Sequence, residues 1–243
     1  MKKQTVSKMI DELNEIHKQI TKDNDNVPKK VKKRFWKIVG QIKRTSNPDR
    51  KLVTKASKIR DLLYSQKYGG SIPLWLALPF LLFLGVICLY GFIYAVLNDV
   101  WGGIGGYRHF TIWWTMCFLY PFGRFIAGKF TGIKFDGYAI GSLIFPTLKI
   151  NYPSYLTTSP PKRKWFFFFS GAWTTIVMGI MGIFGYLILR DTILLVPFVF
   201  TTIAYIPSAM GFLGKYGGEM WNFHRERKIV RDWRRLMASD DKR

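Results

Sequence analysis

Leu74-Trp75-Leu76-Ala77-Leu78-Pro79-Phe80-Leu81-Leu82-Phe83-Leu84-Gly85-Val86-Ile87-Cys88-Leu89-Tyr90-Gly91-Phe92-Ile93-Tyr94-Ala95-Val96-Leu97-Asn98 contains no charged residue from end to end. A helix of about 20 apolar residues crosses the hydrocarbon of a bilayer, so this stretch reads as a membrane span. It also divides the chain. Before it stands the breaker cluster Tyr68-Gly69-Gly70-Ser71-Ile72-Pro73, which marks a boundary. Upstream, residues 1–72 hold nineteen Lys/Arg against seven Asp/Glu, a net charge of +12. The mean hydropathy near zero therefore averages a cationic head with an apolar body.

Downstream, further apolar runs extend from Phe110 to about Gly128, from Trp165 to Leu189 and from Thr192 to about Leu213. The second is interrupted by Pro121, Gly123 and Arg124. A glycine-rich loop (Gly102, Gly103, Gly105, Gly106) separates the first two, and Arg190-Asp191 joins the last two so tightly that they must be antiparallel neighbours. Residues 129–164 are mixed, with strand-like alternation around Ile133–Ile144. Loop charge orients the spans. Lys129, Lys134, Lys149, Lys162, Arg163 and Lys164 face a lone Asp136 between the second and third, and nine Lys/Arg follow residue 213. The opposite loops carry Arg108 and Arg190. Four crossings with both termini cytoplasmic satisfy the positive-inside rule at every loop. The N-terminus is polar and shows no cleavable signal.

The fold class predicted is therefore mostly α: a polytopic body, residues 71–217, with about four spans and a small extended segment after the second. A helical head, residues 1–70, precedes it, and a basic amphipathic tail, residues 218–243, follows. In the head, Val6, Met9, Leu13, Ile16 and Ile20 make one helical stripe, Val31, Phe35, Ile38 and Ile42 a second, and Leu52, Ala56, Ile59 and Leu63 a third. Pro28 suits a first helical turn, and Asn47-Pro48 offers a cap and a helix start. So thin a core is marginal alone, so the head is expected to lean on a partner, a lipid surface or the body. Cys88 and Cys117 lie in apolar runs and read as small buried hydrophobes. Trp165 and Phe166–Phe169, beside Lys162-Arg163-Lys164, read as an interfacial anchor. Gly179, Gly182 and Gly185 suggest close helix packing, with a substrate groove as the sharper alternative.

Tyr120-Pro121-Phe122-Gly123-Arg124, followed by Ala127, Gly132-Ile133 and Gly141, resembles the active-site segment of the site-2 protease family of intramembrane zinc metalloproteases. That family carries a His-Glu-x-x-His helix, small residues, then a glycine with an aliphatic neighbour and an extended stretch closing on another glycine. Ser170-Gly171-Ala172-Trp173 and Lys215-Tyr216-Gly217-Gly218 stand where its later core motifs would fall, so the likeness covers roughly residues 109–218. The resemblance implies its three-span core but not its chemistry. Tyr120 and Arg124 replace the two metal-binding His, Pro121 replaces the general base, Tyr216 stands for the metal-binding Asp, and Pro207 lies too far upstream to match.

Catalytic zinc takes about three protein ligands and an open position. The three His are His17, His109 and His224, none paired at i, i+4. No catalytic residue, metal ligand or cofactor is expected. Arg124, an ionisable residue in a span, costs on the order of 3 kcal/mol at mid-helix on insertion scales. It is expected to snorkel or to pair, with Asp136 as partner, and otherwise to serve binding in the vacated cleft. Arg124, Phe135, Asp136 and Tyr138 are the candidate contacts for a peptide adding to the strand-like segment. Phe223, Val230, Trp233 and Met237 form the tail's apolar face. Arg225, Arg227, Lys228, Arg231, Arg234 and Arg235 surround it, so the tail is expected to lie on an anionic leaflet rather than dock on the cationic head. Lys162, Arg163 and Lys164 are further anionic-lipid candidates.

The function this supports is a non-catalytic scaffold, adaptor or subunit of a membrane complex, with membrane lipids and other membrane proteins as partners. The alternative is a tether whose basic head and tail hold anionic lipid, or a nucleic acid or ribosome, although no nucleic-acid motif is present. A second alternative is an active metalloprotease with an atypical site.

Overall fold

The computed structural model describes residues 3–22, 27–45, 47–100, 106–139, 148–210 and 218–240. Most of these residues are helical.

Three helices build the head. α1 (Lys3–Lys22) buries Met9, Leu13, Ile16 and Ile20, α2 (Lys29–Ile42) buries Val31, Phe35, Ile38, Val39 and Ile42, and α3 (Arg50–Tyr68) buries Leu52, Val53, Ala56 and Ile59. These are the predicted stripes. Two helix starts differ from expectation. Pro28 stands at the N-cap of α2, and α3 is capped by Asp49, not Asn47; its Oδ1 accepts from the backbone N–H of Lys51 (2.8 Å) and Leu52 (3.2 Å). A charged acceptor at this position satisfies two otherwise orphaned donors. Arg34 of α2 ties to Glu15 (2.9 Å) and Glu12 (3.3 Å) of α1.

The head is not a separate body. Its core continues without a break into Ala127, Ile133, Ile150, Tyr152, Tyr155, Leu156, Phe166 and Phe167. Of the options open for so small a helical unit, the rest of the chain supplies the support. This corrects the reading of Phe166–Phe169 as one interfacial anchor. At about 100° per residue, neighbours on a helix face apart, so Phe166 and Phe167 enter the shared core while Trp165 and Phe169 remain exposed.

After a two-residue strand, β1 (Ser71–Ile72), come α4 (Leu74–Leu97) and α5 (Tyr107–Thr131), which pack side by side. Then follow β2 (Phe135–Ala139), β3 (Leu148–Ile150) and the short α6 (Tyr152–Thr157). α7 (Pro160–Leu189), a 3-10 turn at Thr192–Leu195, α8 (Val196–Met210) and α9 (Gly218–Asp240) complete the chain. The three strands make an antiparallel sheet in the order β1-β2-β3, with Ile72 opposite Tyr138 and Tyr138 opposite Leu148.

Two helices, α4 and α7, are long and apolar enough to cross a membrane. Their outward faces are lined by large exposed apolar side chains, among them Phe80, Phe83 and Ile87 on α4 and Ile176, Ile180 and Leu187 on α7. Contiguous apolar surface of this kind calls for a partner or a lipid phase. α5 spans 25 residues without a break at Pro121, but Arg108, His109, Arg124 and Lys129 lower its hydropathy. α8 has 15 residues, fewer than the ~20 of a perpendicular crossing, and the predicted continuation to Leu213 passes outside the described residues.

Glycines on α7 face close neighbours. A Cβ on Gly179 would stand 2.9 Å from the Phe198 ring, and one on Gly182 would stand 2.8 Å from the Leu194 carbonyl oxygen. The small-residue row therefore serves helix packing, and α8 with its preceding turn fills the groove that was the alternative. Arg190 takes the left-handed conformation that closes α7 (φ 56°), and the Asp191 carboxylate accepts from the Ile193 N–H, which makes the tight α7–α8 turn.

Candidate functional site

Beneath α9 lie two buried carboxylates, Glu219 and Glu226, seven residues and so about two helical turns apart on one face. Each meets cations from a different part of the chain.

The upper node is built on α5. Tyr120 and Arg124, four residues apart, project together toward Glu219. The Tyr120 hydroxyl donates to Glu219 Oε1 at 2.6 Å, and Arg124 Nε stands 3.3 Å from the same oxygen. Arg124 and Glu219 are both buried. Pro121 and Gly123 lie on the α7 side of α5 or within it, and the Trp173 indole N–H donates to the Leu119 carbonyl at 3.1 Å. Tyr216 falls outside the described residues, as does Gly141.

Arg124 therefore does not pair with Asp136, as the sequence suggested. Asp136 is exposed, and its Oδ1 accepts from Asn151 Nδ2 at 2.7 Å. Strand alternation explains this: Asp136 points away from the covered side of β2, whereas Arg124 faces α9. Phe135 is wedged between the rings of Phe125 (6.3 Å) and Phe166 (6.0 Å). Tyr138 sits in the ladder. β2 pairs with β3 from Phe135 to Tyr138 and with β1 at Tyr138 and Ala139, so part of each edge is already occupied.

The lower node holds Glu226 fully buried. Its Oε1 accepts from Lys43 Nζ (2.9 Å) and from the Tyr155 hydroxyl (2.7 Å), and its Oε2 from Arg163 Nε (3.1 Å). The Arg163 guanidinium, itself fully buried, also donates to the carbonyls of Thr158 (2.8 Å), Leu156 (3.4 Å) and Lys43. Lys43 closes the first turn after α2, Tyr155 belongs to α6 and Arg163 to α7, so one carboxylate joins four elements. Burial lowers the Lys43 ammonium to about 8, against the pull of Glu226. Burial alone would raise the Glu226 carboxyl, but Lys43 and Arg163 overcome it and hold the group down to about 2.

Two expectations are corrected here. Arg163 is no lipid contact, since it is sealed in the core, whereas Lys162 is exposed and Lys164 lies over the Trp165 ring at 4.4 Å. The tail also does dock on the head, through Lys43–Glu226 and through Arg44–Asp232 (3.1 Å). Net charge argued against that contact. Coulomb energy, however, falls with distance and is strongest where water is excluded, so the few tail carboxylates on the seam outweigh the many cations facing solvent. Arg225, Arg227, Lys228, Arg231, Arg234 and Arg235 are exposed.

The lower node carries a pH signature. The Glu226 carboxyl titrates near 4.5 when unpaired and near 2 in the fold. Its stabilising contribution is complete above about pH 4.5 and disappears as pH falls toward 2. Thermal unfolding in a non-ionic detergent at steps of pH should show the midpoint falling across that window. Glu226→Gln should flatten the fall.

Lys43, Tyr155, Glu219 and Glu226 escaped the sequence reading. The signal existed: Glu219, Phe223, Glu226, Val230, Trp233 and Met237 follow a strict four–three spacing, so both carboxylates occupy the apolar seam itself. Among the described residues, no three His, Cys, Asp or Glu side chains gather as a metal-ion site. Comparison with family models, with curated proteins and with solved structures finds no match of any of the three kinds.

Proposed function

We propose that this chain is a non-catalytic, multi-pass membrane protein with a site-2 protease-like core, working as a scaffold, adaptor or subunit of a membrane complex. One observation carries the reading. Where the resembled family places two His and a general base, this chain has Tyr120, Pro121 and Arg124, with the arginine and tyrosine both spent on Glu219. A guanidinium there repels a divalent cation, and a carboxylate already neutralised by it offers no strong ligand. Such an arrangement holds α5 to α9. Four crossings with cytoplasmic termini agree with the loop charges, and the head–tail contacts Lys43–Glu226 and Arg44–Asp232 support a reading with both termini on one side.

A metal assay on the purified, detergent-solubilised protein tests this. The expected result is no zinc above the level of an Arg124→Ala variant. Stoichiometric zinc that disappears on changing Tyr120 or Tyr216 overturns the reading and restores a hydrolase.

A second reading is favoured by the solvent-facing cations of α9. It makes the chain a tether, held to an anionic leaflet by Arg227, Lys228, Arg231, Arg234 and Arg235.

A further inference from the structure

Two cavities meet at the turn that follows α5. The first, about 370 Å³, is a slot with apolar walls from Leu74, Phe125, Ile133 and Phe135, and Lys129 and Lys134 at its lining. The second, about 500 Å³, lies on the head side and is lined by Arg50, Thr54, Lys134, Asn151, Ser154 and Thr157, among others. Gly132 and Lys134 line both, so the slot and the polar cavity adjoin at this turn. Each volume falls within the ~300–1,000 Å³ typical of small-ligand pockets.

Position fixes the level of the slot. Leu74 begins the apolar helix α4, and Lys129 lies in the last turn of α5. On these same turns Trp75 is 77% exposed and Phe130 80% exposed. Bulky aromatics at a helix end, beside lysines, mark the boundary between acyl chains and headgroups. The apolar slot therefore opens where a lipid tail is available, and the polar cavity lies on the aqueous side of it.

The charges are of one sign. Neither lining contains a carboxylate. The nearest acids are occupied: Asp49 caps α3, and Asp136 accepts from Asn151. Among the described residues Arg50, Lys129 and Lys134 enter no ion pair. The hydroxyls add a second demand. Thr54 donates to the Arg50 carbonyl (2.9 Å), Ser154 to Asn151 (2.8 Å) and Thr157 to Pro153 (2.9 Å). Their protons are spent; the Ser154 oxygen already accepts from the Lys134 N–H (2.9 Å), which leaves the Thr54 and Thr157 oxygens as the acceptors of this lining. A ligand complementary to this lining has an apolar chain, an anionic group and hydroxyl donors.

We propose that the two adjoining cavities bind one acidic phospholipid with a polyol headgroup, an acyl chain in the slot, its phosphate between Lys129 and Lys134, and the headgroup hydroxyls in the Arg50 cavity. The proposal rests on the membrane reading above, but not on the tail's contact with a leaflet. It makes the lipid a structural cofactor that bridges head and body.

The test uses the full chain in nanodiscs of phosphatidylcholine doped with either phosphatidylglycerol or phosphatidylserine. Lipid retained after gentle release is then measured by native mass spectrometry. Phosphatidylglycerol should be retained over phosphatidylcholine. It should also exceed phosphatidylserine, which has the same net charge but brings an ammonium toward Arg50. Arg50→Gln and Lys134→Gln, both at exposed positions, should each lower retention about fivefold, the effect of one surface cation on an anionic lipid. Leu74→Trp, which fills the slot and leaves every cation in place, should lower it as well. Equal retention of the neutral lipid, or retention unchanged in all three variants, overturns the site. So does a loss confined to Arg225→Gln/Arg227→Gln, which would assign the lipid to the surface of α9 and leave the membrane reading standing. Recovery of the chain in the soluble fraction without detergent would instead sink the membrane reading itself.

Discussion

Glu226→Ala lowers the thermal midpoint of the detergent-solubilised protein by on the order of 10 °C, the conversion of about 3–5 kcal/mol for a chain of this size. The variant removes one anion and leaves two cations, Lys43 and Arg163, in a region from which water is excluded. It also strips the Tyr155 hydroxyl of its acceptor. Removing one member of a buried ion pair is far costlier than the pair's net worth suggests, because the survivors keep their desolvation penalty. Lys43→Met should cost less, since Arg163 then still neutralises Glu226. Adding Lys43→Met to Glu226→Ala should recover part of the loss by deleting an orphaned charge. A double variant no more stable than Glu226→Ala alone would show that Lys43 reaches water when unpaired. Circular dichroism melts at neutral pH measure all three.

Gly123→Ala is the second large effect, and it works through packing alone. A Cβ at this position would stand 2.6 Å from Trp173 Cβ and closer still to the near edge of the indole. These are the root atoms of a side chain whose N–H is held by the Leu119 carbonyl at 3.1 Å, so the ring cannot swing away freely. α5 and α7 must separate instead. Overpacking of this kind costs about 1–3 kcal/mol, and more where backbone must move. The check is a cycle with Trp173→Ala: once the indole is gone, Gly123→Ala should be close to neutral, because contacting residues do not add. Gly123→Ala that destabilises equally in both backgrounds would locate the strain elsewhere.

Much of this architecture was legible in the amino-acid sequence, for a physical reason. The stripe from Met9 to Ile20 and that on α2 are buried as read, as is that on α3 except for Leu63, which is half-buried. The apolar run beginning at Leu74 forms one helix. Periodicity and hydropathy are local properties, so a single segment reveals them. β2 falls inside the extended stretch read around Ile133–Ile144, whereas β1 and β3 were hidden because they have two and three residues, too few to show alternation, and exist only by pairing with β2.

The candidate site was harder to see. Arg163 sits between Lys162 and Lys164, and composition cannot tell which of three neighbouring cations turns inward. The structure decides it by rotation about α7: the face carrying Phe166, Phe167 and Ser170 also carries Arg163. Asp136 looked right for Arg124 because it was the one acid nearby in sequence, while Glu219 was remote by 95 positions. The glutamates of α9 drew no notice in a crowd of arginines. Their register with Phe223 and Val230 was the better guide, since a charge on an apolar seam must be paired once the seam closes.

Glu226 reaches a lysine 183 positions earlier in the chain, and this separation has a bearing on biogenesis. α9 emerges from the ribosome after every element it fastens. Until then the growing chain holds its earlier helices, but Lys43 and Arg163 lack the carboxylate that neutralises them. Final docking of that helix thus acts as a completeness check, and a nascent polypeptide halted before it would leave both cations without their anion.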